Sequence, residues 1–199
     1  MGKASQRPDM DPQVVSSTLA DRADAVRADL VDRWGEVSHR QRDPLAVTDH
    51  EFPDDPDGVF PWVAVAFVVE DGDVLLVRDA GHDHEWEPPG GKGEPDETPA
   101  ETAEREVREE AGVDVTVTDL LFTEVLPFDY GATVTAPVLQ AGFVARRTDG
   151  RARGNEDRIE AAEWFPLGDL PEGAQFRTDL DALRHRAEPT GDGSPEESR

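Results

Sequence analysis

The chain has 199 residues, 45 of them acidic and 20 basic, for a formal net charge of −25; a field of that sign repels bare nucleic acid and anionic lipid. It contains no cysteine, which excludes disulfides, thiolate metal sites and a cysteine nucleophile and gives no sign of an oxidising compartment. The longest apolar run, residues 62–69, is far short of the ~20 residues of a membrane helix, and the N-terminus lacks the apolar stretch of a secretory signal, so a cytoplasmic protein with one well-buried domain plus extensions is expected.

Residues 1–13 are polar and contain proline. From 17 to 34, Leu19, Ala23, Val26, Leu30 and Trp34 recur at helical spacing, with Ser17 or Thr18 available as N-cap and Gly35 placed to stop the helix. Such a helix would pack on the main domain or on a second copy of the chain. Residues 43–61 are rich in Pro and Asp and read as a linker. WVAVAFVV, EDGD and VLLV (62–77) then read as a β-hairpin, two β-branched runs around a Gly-containing turn. Further strands are expected within 113–126, 132–146 and 161–165, and a short helix within 176–185; residues 188–199 have the composition of a disordered tail. Strands on both sides of a single strongly helical segment predict a mixed α/β sandwich rather than a repeated βαβ array.

That helical segment is fully punctuated. Thr98 can cap, Pro99 suits the first helical position, Glu101 completes a capping box and Gly112 fits a left-handed end, which predicts a helix over 99–111. Ala100, Ala103, Val107 and Ala111 share one side, small enough to lie close on a sheet, while Thr102, Arg105, Glu106, Glu109 and Glu110 fall on the other. Glu106, Glu109 and Glu110 are spaced so that their carboxylates can converge. The helix alone reads equally as a solvated face balanced by Arg105 and Arg108 or as an oxygen-donor site for a hard cation, Mg²⁺ or Mn²⁺. The Gly-rich turn GGKGEPDE before it, whose backbone can approach a ligand closely, favours the second reading; it does not fit a P-loop.

Gly91, Glu97, Arg105-Glu106-Val107, Glu109-Glu110 and Gly112-Val113 match the Nudix box at every defined position, WEPPGG (86–91) is similar to the usual approach to it, and EAAEWFPLGDLP (160–171) looks like the usual final strand and turn. The chain therefore resembles the Nudix hydrolase family over roughly 59–172. The resemblance implies an α/β/α sandwich with a mixed sheet at 59–187, here preceded by a helical extension and linker at 1–58. It also implies pyrophosphohydrolase activity on a nucleoside diphosphate linked to another moiety, dependent on Mg²⁺ or Mn²⁺. Carried over to this chain, Glu106, Glu109 and Glu110 become metal ligands together with the backbone of Gly91 (or Gly90), and Glu97 and Arg105 tie loop to helix. Glu109 is the first choice of general base and Glu156, in GNEDRIE, the second.

Lys92 and Arg78 are candidate phosphate contacts and Trp86 a candidate stacking partner for a base or ribose, each weighed against an ordinary surface or core role. His82 and His84 read as a hairpin loop before a ligand pair. In this family a Pro downstream of the box goes with ADP-ribose hydrolysis and a Tyr slightly further on with dinucleoside polyphosphates; Pro127 and Tyr130 supply both, so an ADP-ribose-like substrate, a nucleoside triphosphate and a dinucleoside polyphosphate all remain open. A non-catalytic nucleotide sensor is the alternative from another class. The expected partners are a small nucleotide and, through the N-terminal helix, a second copy in a homodimer, with neither nucleic acid nor membrane. The acid excess with only two lysines, Lys3 and Lys92, resembles proteins of salt-accumulating haloarchaea, where molar salt screens self-repulsion over a few ångströms, and implies a halophilic source.

Overall fold

A computed structural model describes residues 10–81 and 85–187. The elements are α1 (Pro12–Trp34), β1 (Ser38–Gln41), β2 (Leu45–Ala46), a 3-10 turn (Pro56–Gly58), β3 (Trp62–Glu70), β4 (Asp73–Asp79), β5 (Trp86–Glu87), β6 (Gly90–Lys92), α2 (Pro99–Ala111), β7 (Val113–Asp129), β8 (Ala136–Gly150), β9 (Ile159–Pro166) and α3 (Arg177–Ala187). Among the described residues no helix is long and apolar enough to cross a membrane.

The sheet runs β1-β7-β8-β3-β4-β5, with β2 on β7, β6 on β3 and β9 on β4. It is mixed: β3 lies parallel to β8 and antiparallel to β4 and β6, β7 and β8 form a long antiparallel pair, and β1 and β2 run parallel to β7. Asp71 and Gly72 both have positive φ, 51° and 89°, the backbone that a two-residue hairpin turn of matching twist requires between β3 and β4.

Alternation along β3 sorts the core into two faces. Ala64, Ala66 and Val68 belong to a cluster with Ala100, Ala103, Val107 and Ala111 of α2 and with Ala23 and Leu30 of α1. Val65 and Phe67 belong to another with Leu180 and Leu183 of α3. The result is the α/β/α sandwich expected, α1 and α2 on one side and α3 on the other. The small side chains of α2 let the helix sit close on the strands, which fixes the position of its acidic residues relative to β6.

Two elements differ from expectation. The first helix begins at Pro12, not near Ser17: Asp11 caps it by accepting from the Gln13 N–H at 2.8 Å, and Pro12 takes the first position. Ser17 and Thr18 lie inside, their hydroxyls donating back to the Val14 carbonyl at 3.0 and 2.8 Å. The stretch 43–61 carries β2 and the 3-10 turn, and Phe52 and Phe60 pack on a small cluster containing Val15 and Leu19 of α1. β1 and β2 carry little signal in the sequence, being only four and two residues long, and both pair with β7. His82, His84 and the tail 188–199 lie outside the described residues.

Because α1 contributes to the main core, Leu30→Ala should lower global stability by about 2–5 kcal/mol. Urea unfolding in high salt checks this, with a single transition expected and the midpoint moved down.

Candidate active site

The helix carrying the acidic residues forms as its punctuation dictates. The Thr98 N–H donates to Glu101 Oε2 at 2.8 Å, the Glu101 N–H donates to Thr98 Oγ1 at 3.3 Å, and Gly112 ends the helix in the left-handed conformation. One row of this helix departs from its expected orientation. Thr102, Glu106 and Glu110, each a turn apart, are buried, because the strand and loop from 90 to 93 cover them. A Cβ at Gly91 would lie 2.5 Å from Glu106 Oε1, so any larger residue there would displace the Glu106 carboxyl group. The Gly90 N–H donates to Glu110 Oε2 at 3.0 Å.

Arg105 organises the outer half of the site. Its Nε donates to Glu97 Oε1 at 2.7 Å, its Nη1 to Glu106 Oε1 at 2.8 Å and to Glu109 Oε2 at 2.7 Å, and its Nη2 to the Lys92 carbonyl at 3.0 Å and to Glu97 Oε2 at 3.2 Å. The expected tie between loop and helix is thus present. It extends inward, since Thr102 Oγ1 donates to Glu97 Oε2 at 2.8 Å and in turn accepts from the Trp62 indole N–H at 3.0 Å.

The electrostatics divide accordingly. The Arg105 hydrogen bond holds the Glu97 carboxyl below its ordinary range, and the carboxylates around Arg105 hold its guanidinium firmly charged. Burial pushes Glu106 up against the opposing pull of Arg105. Burial pushes Glu110 up further, to about 8, although the Gly90 N–H and Arg158 both favour its charged form. The fold therefore holds two acids under-compensated side by side.

Glu106 and Glu109 both face Arg105, Glu110 faces Arg158, and among the described residues no three acidic or histidine side chains are drawn into one group. Glu109 is the most exposed of the three, at 44%. As a donor set they suit a hard divalent ion: all oxygen, on one rigid element, next to the backbone of Gly90 and Gly91.

The remaining predicted residues lie around this centre. Arg78 pairs with Glu160 at 3.1 Å and sits 5.1 Å from the Trp86 ring centroid. Trp86 meets Phe165 edge-on at 4.7 Å and packs partly against the core below α3. Lys92 is exposed, its ammonium 5.0 Å from the Phe60 ring centroid. Pro127 faces Pro137 in the β7–β8 ladder, and Tyr130 packs edge-on to Phe52 at 5.9 Å, at the far end of β7 from the box. Arg108 pairs with Asp114 at 2.8 Å instead of balancing the acidic row. Sequence reasoning missed Arg158: GNEDRIE drew attention for Glu156, yet its arginine reaches Glu110 at 2.5 Å. The signal available was a lone cation in an acidic segment just before the final strand.

A model of the NUDIX domain matches residues 60–185. The chain belongs to the NUDIX family. Over 115 residues, 55% of the chain, it is 33% identical to the human 8-oxo-dGDP phosphatase NUDT18. It is 44% identical over 59 residues, 30% of the chain, to an RNA pyrophosphohydrolase of Xanthomonas campestris. Those matches span 33% and 28% of the two proteins, so the chain covers a third or less of the length of these curated relatives. A NUDIX hydrolase structure from Nitrosomonas europaea superposes with a TM-score of 0.52 over 64% of this chain and 73% of that one, at 23% identity, which shows a shared fold.

The raised Glu110 predicts a pH dependence for the metal-free protein. Unfolded, this acid loses its proton near 4.5; folded, it keeps it up to about 8. Between those values the folded state binds more protons, so its contribution makes stability fall as pH rises and level off above about 8. Denaturant midpoints measured in EDTA across this window should decline, and Glu110→Gln should flatten the decline.

Proposed function

We propose that the protein is a Mg²⁺- or Mn²⁺-dependent pyrophosphohydrolase acting on a nucleoside diphosphate linked to another moiety, either ADP-ribose-like or a nucleoside triphosphate. The observation that carries this reading is the burial of Glu106 and Glu110, one turn apart, against the glycine backbone at 90–91. Two acids so placed favour a site built to take up positive charge over a solvated face. Glu106, Glu109, Glu110 and the Gly91 backbone would hold the cation, which when bound offsets the charge of a diphosphate and lowers the pKa of a water.

Arg105 and Glu97 keep the loop on the helix, so that the backbone of 90–93 and the carboxylates face the same substrate atoms. Glu109, the most open of the three glutamates, is placed to take a proton from the attacking water; Glu156, held by Arg158 Nε at 3.1 Å, is the second choice. Lys92, Arg78 and Trp86 are assigned to the substrate, Lys92 being the freest to reach a phosphate. The catalytic domain is assigned to 59–187 and the extension to 1–58.

The name of the human relative supports a nucleotide substrate, whereas that of the Xanthomonas protein points to RNA. The net charge of −25 opposes a polyanion far more than a single nucleotide, so we place the small nucleotide first. The same charge supports a high-salt cytoplasm, though the relatives are bacterial and mammalian.

Product release from ADP-ribose, nucleoside triphosphates, dinucleoside polyphosphates and triphosphorylated RNA, measured with Mg²⁺ in high salt, should show turnover of a small nucleotide that EDTA abolishes. Glu109→Gln should lower kcat by about 10²–10⁴-fold while leaving the fold intact. Nucleotide binding without turnover would instead identify a sensor.

A further inference from the structure

The segment between β8 and β9 is anchored to the end of α2. Its Arg153 and Asn155 N–H groups donate to the carbonyls of Ala111 and Glu110, both at 3.0 Å, and the Asn155 side chain donates to the Arg108 carbonyl at 3.2 Å. The carbonyls of Glu110 and Ala111 are among those that a helix end leaves without internal partners, while that of Arg108 also accepts from the Gly112 N–H at 3.0 Å. The segment is also tied to β4, since the Ala80 N–H donates to the Arg158 carbonyl at 3.0 Å. Arg158 thus leaves a backbone held on two sides.

Its side chain makes three charged contacts. Nη2 donates to Glu110 Oε1 at 2.5 Å, Nη1 to Asp79 Oδ2, and Nε to Glu156 Oε2 at 3.1 Å. Glu110 is 2% exposed and Asp79 3%, so the guanidinium spans two buried carboxylates from opposite elements, the end of α2 and the end of β4. It remains half open to solvent itself. With the Gly90 N–H on Oε2, both oxygens of Glu110 are held, one from the loop before the helix and one from the segment after β8.

We propose that Arg158 is a positioning residue for the cation site: with the Gly90 N–H on the other oxygen, it fixes the direction of the Glu110 carboxyl group beside Glu106. The inference rests on Glu110 being a metal ligand as read above. Nη2 uses one acceptor position of Oε1 and the Gly90 N–H one of Oε2, which leaves one on each oxygen to an ion, so Arg158 supports the ligand instead of replacing the metal. Loss of such a partner behind a ligand typically weakens metal affinity about 10–100-fold.

The test is Mn²⁺ binding to the full chain in high salt at fixed pH, by calorimetry or by the EPR signal of free Mn²⁺, for the parent protein and for Arg158→Ala, Arg158→Lys and Glu106→Gln. Far-UV CD and thermal unfolding establish that each variant is folded. The parent should bind Mn²⁺, Arg158→Ala should bind about 10–100-fold more weakly, and Arg158→Lys, which keeps the charge but loses the forked contacts, should fall between them; should Arg158→Ala not fold, weaker binding by the folded Arg158→Lys carries the test. Binding by either Arg158 variant as tight as the parent's, or tighter, would overturn the positioning role. No binding by the parent, or parent-like binding by Glu106→Gln, would instead sink the reading of the box as a metal site.

Discussion

Glu106 and Glu110 stand one turn apart on α2 with almost no contact with solvent, and what surrounds them follows from the difficulty of keeping two acids there. A buried carboxylate must be paired, protonated or bound to a cation. The protein supplies two guanidiniums, Arg105 from the helix itself and Arg158 from the segment after β8, and one backbone donor, Gly90. Even so, burial outweighs them and both acids are displaced upward. Two acids with more burial than compensation set this helix face apart from an ordinary surface ion-pair network.

Each layer of the fold contributes to that placement. The alanines of α2 set its distance from β3, β6 brings the glycine backbone over the Thr102, Glu106 and Glu110 row, and the Trp62–Thr102–Glu97 chain of hydrogen bonds links the floor of the sheet to Arg105. The two arginines do different work. Arg105 gathers Glu97, Glu106 and Glu109, of which only Glu109 is substantially open to solvent. Arg158, itself half open to solvent, joins α2 to β4 through the buried carboxylates of Glu110 and Asp79.

α2 was legible in the sequence down to its caps because helix ends are written locally: Thr98, Pro99, Glu101 and Gly112 satisfy nearby backbone groups with no help from the rest of the chain. The β3–β4 hairpin was legible for the same reason, its turn residues lying between two apolar runs. The spacing of the box carried the family, and with it Arg105 and Glu97 as partners. What could not be read depended on segments distant in the chain. β1 and β2 are strands only because β7 offers them an edge, Thr102 is buried only because Trp62 and the glycine loop reach it, and Arg158 matters only because residues 79 and 110 meet in space. The first cap was misplaced because a Ser-Ser-Thr run outweighed the single Asp-Pro pair that in fact begins the helix.

The pairing of β1 and β2 with β7 bears on how the protein behaves among its own kind. A strand as long as Val113–Asp129 at the margin of a sheet would offer a row of open N–H and C=O groups to any neighbouring chain, a template for fibrous growth. Here two short strands from the N-terminal region, the polar Ser38–Gln41 and the apolar Leu45–Ala46, run along it between Phe122 and Asp129 and sheathe about half of that margin. The turn from α1 through Ser38–Gln41 into the Pro- and Asp-rich stretch thereby covers backbone that would otherwise lie open to a neighbour.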